Sequence, residues 1–230
     1  MTHPLDLKEF TLPELEQLMA AWGQPNFRAR QLVKWLYKGV GAFEDMTDIA
    51  RPFRAELSRR ARISKLHVEQ VQAAADGCRK FLFALEDGNL IESVLIPEEG
   101  HYTLCLSTQV GCAQGCRFCL TARRGLIRNL TAGEIVNQVL AVRRELADGL
   151  PLTNLVFMGM GEPLANFAHL VRGRVERFHL PGIAGINFML HEALDGGGPA
   201  SMRMDPLGKG MAQMLLELPI RIPQSLAAGL

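Results

Sequence analysis

Tryptophan and tyrosine are scarce in this 230-residue chain, at two residues each, and cysteine occurs only five times. Five is an odd number and three of the five crowd together, which argues against the spread thiol framework of a secreted disulfide scaffold. No apolar run approaches the roughly 20 residues that a membrane-spanning helix needs, and the N-terminus MTHPLDLKEF lacks the apolar core of a signal peptide. A surplus of charge is missing too. The formal net charge is +1, so nucleic acid would have to be held by local basic patches and not by a global field. These absences lead us to expect a soluble, cytoplasmic chain with no membrane partner, whose reduced thiols are free to bind metal.

What is present is enough for a core. The chain is 48% apolar and 21% charged, which suits one sizeable domain or a small domain joined to a larger one. Residues 1–65 read as helical. Thr11 and Glu14 have the form of a capping box, and Leu15 and Leu18 begin an apolar stripe. A second helix is expected from about Asn26, carrying Phe27, Leu32, Val33, Trp35 and Leu36 and broken by Gly39 and Gly41. A third is expected over 52–62, within a basic cluster of Arg51, Arg54, Arg59, Arg60, Arg62 and Lys65. A solvated helix face is the plainer reading of that cluster.

From residue 66 the texture changes to short alternating runs, with strands expected at 81–85, 91–96 and 102–107 and a turn at Asp87-Gly88-Asn89. A second capping box, Thr131 and Glu134, opens a helix with Ile135, Val136, Val139, Leu140 and Leu146 at helical spacing, ended by Gly149 and Pro151. A buried strand over 153–158 then runs into Gly159-Met160-Gly161-Glu162-Pro163. A strand–helix–strand unit implies parallel strands with their following loops at one end, as in a β/α barrel. Residues 173–230 differ, with nine glycines, five prolines and five methionines. There Leu180, Ile183 and Ile186 make no convincing strand, 211–218 suits a short helix, and no clean third or fourth β-α unit follows.

The chemistry concentrates in GCAQGCRFCLTARRG, where Cys112, Cys116 and Cys119 have the spacing Cys-x3-Cys-x2-Cys and Arg123, Arg124 and Arg128 follow. Thiolates suit zinc or iron–sulfur groups. Three of them leave one iron of a [4Fe-4S] cluster without a protein ligand, open to a cofactor such as S-adenosylmethionine. Two other readings stay open: zinc completed by His101 or Cys105, and buried cysteines with no metal. The aromatic Phe118 before the last cysteine and the GMGEP turn one β-α unit later favour the cluster. In that turn, glycine lets backbone approach a ligand and Glu162 can hold an ammonium.

The segments GQPNFRARQLVKWLY, FEDMTDI, IESVLIPEE, LCLSTQVGCAQGCRFCLTARRGLIRNLTAGEIVNQV and TNLVFMGMGEPLANF, spread over residues 5–172, resemble the radical SAM dual-specificity RNA methyltransferases (the RlmN/Cfr family). The resemblance implies an α/β protein: a small helical N-terminal domain (1–65) that helps to bind RNA, then an incomplete β/α, partial TIM-type barrel (66–172). Residues 173–230 remain as a diverged tail. It implies methylation of C2 of adenine in 23S rRNA and tRNA by a monomer that uses a [4Fe-4S] cluster, S-adenosylmethionine and a reducing electron donor such as flavodoxin. Adenine C2 has no lone pair for ordinary methyl transfer. In the family, a methyl group is first placed on a C-terminal cysteine and activated as a radical. It is then joined to C2 as a thioether and released by a resolving cysteine. By the same resemblance, Cys112, Cys116 and Cys119 hold the cluster, Gly161 and Glu162 contact S-adenosylmethionine, Glu92 accepts the C2 proton and Cys105 is the resolving cysteine.

Cys78 matches nothing in the family and is expected to be structural. No cysteine follows Cys119, so the methyl-carrying residue has no counterpart, and the resemblance stops near Val171. We therefore expect a truncated or frameshifted product, or a diverged terminus. The alternative functions are a remnant that binds cluster or RNA without methylating, and a radical SAM enzyme of different chemistry.

Overall fold

A computed structural model describes residues 4–117, 119–146, 149–172, 183, 185–190 and 200–204. The first elements are strand β1 (Leu5–Asp6) and helices α1 (Leu12–Ala21), α2 (Phe27–Lys38) and α3 (Arg51–Arg60). The α1 capping box forms as its sequence predicts, with Thr11 Oγ1 accepting from Glu14 N–H and the Glu14 carboxylate accepting from Thr11 N–H. Helix α2 ends on Gly39 in the left-handed conformation that closes its last turn. Helix α3 stops two residues earlier than expected, because Ala61–Arg62 (β2) leaves it to pair in parallel with β1. Leu7, Leu15, Met19, Leu32, Leu36, Met46, Ile49 and Leu57 make the core of this helical part.

The basic cluster is largely used within the fold. Arg54 donates to Glu44 O, Arg60 lies over the Trp22 ring and 3.3 Å from Glu56, and Arg62 pairs with Asp6 and Glu86.

The rest of the described chain is built on β3 (His67–Ala73), β4 (Arg79–Ala84), β5 (Leu90–Glu98), β6 (His101–Cys105), β7 (Gln109–Gly111), α4 (Leu120–Arg123), β8 (Leu126–Asn129), α5 (Ala132–Arg144), β9 (Leu152–Phe157), α6 (Phe167–Arg172), β10 (Gly185–Leu190) and β11 (Ala200–Met204). Seven strands form one sheet in the order β11-β10-β9-β6-β5-β4-β3. Strands β3 to β6 are antiparallel, β6, β9 and β10 are parallel, and β11 returns antiparallel. The α/β class is as expected. These pairings make a mixed sheet and do not themselves draw the arc of a barrel.

Three sequence expectations need correction. Strand β3 was not anticipated, because nearly all its residues are exposed and no apolar alternation marks it. Helix α5 ends at Arg144, so Leu146 lies past it. A strand, β10, does run through Ile186, where local pattern marks no convincing one, and the ladder to β9 supplies what local propensity lacks. The helix expected over 211–218, the Gly196–Pro199 stretch and Phe118 lie outside the described residues.

Helix α5 covers one face of the sheet. Ile135, Val136, Val139, Leu140 and Val142 share a core with Phe81, Phe83, Ile91, Leu95, Leu104, Leu106, Leu155 and Phe157. Burying each such side chain contributes roughly 1.5–3 kcal/mol. The capping box Thr131/Glu134 forms at its start, and Glu134 also receives two hydrogen bonds of 2.8 Å from Arg128. Arg128 reaches Asp87 as well, at 2.6 Å, so this member of the second basic group ties the β4–β5 turn to α5.

Helix α5 is also where the two cores meet. Glu9 Oε1 accepts from Thr131 Oγ1 and Gly133 N–H, adding a carboxylate at the N-terminal end of the helix dipole. Buried Lys8 donates from Nζ to Ser64 O at 2.8 Å and to Asn137 Oδ1. Burial lowers the Lys8 pKa to about 8, the neighbouring Asp6 charge opposing the shift and Arg144 and Lys65 adding to it. A folded pKa below the unfolded 10.5 means that the unfolded state binds more protons between about pH 8 and 10.5. Stability should therefore rise across that window, by on the order of 3 kcal/mol. Urea midpoints of wild type and Lys8→Met, compared from pH 7 to 10.5, check this: the rise should be present in the first and absent from the second.

Candidate functional site

The sheet face opposite α5 is half-buried. Alternation along β5 sends Ile91, Ser93 and Leu95 under the helix and Glu92, Val94 and Ile96 to the other side. Cys105 pairs in register with Val94 and with Val156, so it shares the Glu92 face, one diagonal step away at about 7–8 Å between backbones. Glu92 Oε1 lies 3.1 Å from Lys80 Nζ on β4, an ion pair that directs the carboxylate. Burial raises the Cys105 thiol pKa, with a hydrogen bond donated by the Met158 backbone N–H opposing it. Cys105 is thus protonated at neutral pH while it stays on this surface.

The cysteine segment leaves the carboxyl end of β6, and GMGEP leaves the carboxyl end of β9. Because β6 and β9 are parallel neighbours, the two segments lie side by side. Their backbones are joined: Thr108 and Gln109 N–H donate to Met160 O at 2.8 and 3.1 Å, and Gly159 N–H donates to Leu106 O at 3.0 Å. Glu162 N–H donates to Gln109 Oε1 at 2.9 Å, and Asn166 donates to Thr108 O and Leu130 O. The small β7–β8 hairpin, not legible in the sequence, spans the base of the cysteine loop, where Cys112 N–H donates to Gly125 O at 3.0 Å.

Within the loop, Cys119 N–H donates to Cys116 O. Burial raises the Cys112 pKa, and the charges of Glu162, Cys116 and Cys119 raise it further, against a backbone hydrogen bond from Gln114. Groups that disfavour one another's ionisation in this way would be relieved by a bound cation, so the donor chemistry fits a metal–sulfur group. Among the described residues, no three His, Cys, Asp or Glu side chains are drawn to metal-binding distance, so the loop brings its donors into one neighbourhood without closing a coordination shell. The Thr108 hydroxyl, beside the GMGEP backbone, is buried with no hydrogen-bond partner among the described residues. His101, one of the residues considered for completing a zinc site, is held by Asn154 and Glu99 O at the start of β6, about 13 Å of strand from Cys105.

Sequence reasoning missed Gln138, Ser107 and Ser93. Gln138 Oε1 accepts from Ser93 Oγ at 2.8 Å and Ser107 N–H at 2.9 Å, and its Nε2 donates to Ser107 O at 2.9 Å. A glutamine inside the apolar stripe of α5 was the available signal.

The Ribosomal RNA large subunit methyltransferase N-terminal domain family matches residues 5–63. The dual-specificity RNA methyltransferase RlmN of Geotalea uraniireducens is 55% identical over 168 residues, covering 73% of this chain and 48% of that protein. Over this stretch the chain is RlmN-like. RlmN of Pelobacter propionicus is 53% identical over 172 residues, 74% of this chain and 48% of that protein. RlmN of Solidesulfovibrio magneticus is 48% identical over 192 residues, 82% and 53% of the two chains.

The crystal structure of a radical SAM methyltransferase from Sphaerobacter thermophilus superposes with a TM-score of 0.67 at 44% identity, over 74% of this chain and 51% of that one. The chain spans about half the length of the RlmN relatives it matches. The AtuA ferredoxin-like domain family matches residues 151–221, overlapping the GMGEP segment and running into the tail. No helix among the described residues is long and apolar enough to cross a membrane.

Proposed function

We propose that this RlmN-like chain carries the cluster- and cofactor-binding part of a radical S-adenosylmethionine RNA methyltransferase directed at adenine C2 of 23S rRNA and tRNA. One observation carries the reading: the segment leading into the three-cysteine loop and the GMGEP loop are hydrogen-bonded side by side at the ends of parallel β6 and β9, with Glu92 and Cys105 on one adjoining face. Residues 1–65 serve as the helical RNA-binding unit and 66–172 as the first part of a β/α barrel, whose sheet β10 and β11 extend beyond residue 172. A reducing protein such as flavodoxin supplies electrons, and the chain acts as a monomer in the cytoplasm. The names of the relatives favour this reading over a non-catalytic remnant.

Cys112, Cys116 and Cys119 would hold a [4Fe-4S] cluster, whose chemistry is to supply the electron that cleaves S-adenosylmethionine. Glu162 would offer a carboxylate to the methionine ammonium, and Gly161 would let backbone approach the cofactor. Glu92, held by Lys80, receives the proton from C2. Cys105 stays protonated on the same face until it is needed as a nucleophile, since only the thiolate attacks a sulfur.

Anaerobic reconstitution tests the proposal. Wild type should take up iron and sulfide and form 5′-deoxyadenosine from S-adenosylmethionine, whereas Cys116→Ala should do neither. Wild type without iron would remove the cluster from the reading.

A further inference from the structure

The buried Gln138 knot joins four parts of the molecule that the proposed function needs together. Gln138 and Ser107 are fully buried and Ser93 is 1% exposed. Gln138, on α5, holds Ser107 by its N–H and its C=O, and holds β5 through the Ser93 hydroxyl. With its backbone held, Ser107 uses its hydroxyl in both directions. Oγ donates to Glu92 O at 2.5 Å and accepts from Met160 N–H at 2.8 Å. Five hydrogen bonds among neutral groups thus link α5, the strand of Glu92, the segment leading to the cysteine loop, and GMGEP.

We propose that Gln138 and Ser107 are positioning residues that hold the GMGEP loop and the Glu92 backbone in a fixed relation, so that the cofactor-facing loop is set before S-adenosylmethionine arrives. The proposal rests on the reading of GMGEP as the cofactor loop. Its physical basis is that each buried group keeps a partner only while all the segments stay in place. Removing the Gln138 amide leaves Ser107 N–H and C=O unpaired in the core, at about 1–3 kcal/mol each. That cost drives Ser107 to shift, and Met160 and Glu92 shift with it. Removing the hydroxyl alone frees Met160 N–H, leaving Met160 held only through its carbonyl, and leaves the Gln138 bonds intact. Neither residue touches the cysteine side chains among the described contacts, so the brace acts on cofactor affinity and leaves metal uptake alone.

The experiment compares Gln138→Met, which preserves length without hydrogen bonds, with the milder Ser107→Ala, both in the full chain after anaerobic reconstitution. Iron per chain should match wild type in both variants. Affinity for S-adenosylmethionine, read by equilibrium binding and by the change in the cluster's electron paramagnetic spectrum on cofactor addition, should fall roughly 10–100-fold. Amide exchange at Met160 in the cofactor-free chain should speed up in both. A mere packing role would lower the unfolding midpoint without separating iron uptake from cofactor affinity. Unchanged affinity and unchanged Met160 exchange in Ser107→Ala would overturn the brace, even if Gln138→Met fails to fold. If wild type itself binds no S-adenosylmethionine while Met160 exchange speeds up in the variants, the brace is supported and the cofactor reading is the part that fails.

Discussion

Gly111→Ala should cost the chain most of its iron while leaving the helical N-terminal part folded. Gly111 has φ of +78°, and a Cβ there would lie 1.9 Å from Gly125 O and 3.0 Å from Gly125 C. Both are backbone atoms, so no rotamer change relieves the clash. Gly125 O is also the acceptor for Cys112 N–H, and the β7–β8 ladder steps out of register at this position. An alanine must therefore adopt a left-handed conformation and displace the carbonyl that seats Cys112. Strain and overpacking together cost on the order of 3 kcal/mol or more. The clash is with backbone on the facing strand side of the loop, so the hairpin should open locally at this position. Iron per chain after reconstitution should drop below about a tenth of wild type, by the scale on which metal-site supports act. Far-ultraviolet circular dichroism should still report the helices α1 to α3. Wild-type iron content in Gly111→Ala would show that the hairpin does not hold the cysteine loop.

Gly161→Ala should separate the two loops and abolish cofactor binding more completely than metal uptake. Gly161 has φ of +98°, and an added Cβ would meet Gln109 Cβ at 2.5 Å and Gln109 N at 2.7 Å. Gln109 cannot retreat, because its N–H is bonded to Met160 O and its side chain spans Glu162 N–H and Asn129. GMGEP has to move instead, which breaks those bonds and carries Glu162 away. The expected loss is on the order of 3 kcal/mol in the unfolding free energy, with S-adenosylmethionine affinity reduced beyond tenfold. Urea unfolding and equilibrium binding measure the two. A variant that keeps wild-type cofactor affinity would show that this close approach has no part in the site.

Much of the local structure was legible. The capping boxes at Thr11/Glu14 and Thr131/Glu134 are three-residue signals whose physics is complete within one turn, and both form as read. The β4–β5 hairpin follows from alternation around Asp87-Gly88-Asn89. Elements whose stability comes from partners were not legible. Strand β3 is an exposed strand, β7 and β8 are three and four residues long, and β10 depends on β9. Arg128 read as part of a basic patch, yet it is held by Asp87 and Glu134 from 41 positions before and six after. A charge carries no mark of its partner until the fold supplies one.

By itself the sequence determined the donor set and its spacing, the helices, and the order strand, cysteine loop, helix, strand, GMGEP. These are properties of neighbours along the chain, set by side-chain chemistry and by the periods of helix and strand. Only the tertiary structure decided that GMGEP lies against the segment leading to the cysteines, that Cys105 and Glu92 share a face, and that Gln138 binds the groups between them. Those facts depend on parallel pairing across about 50 residues and on buried polar groups that must find partners wherever the chain brings them. Such partners are chosen by packing in three dimensions, which no local pattern encodes.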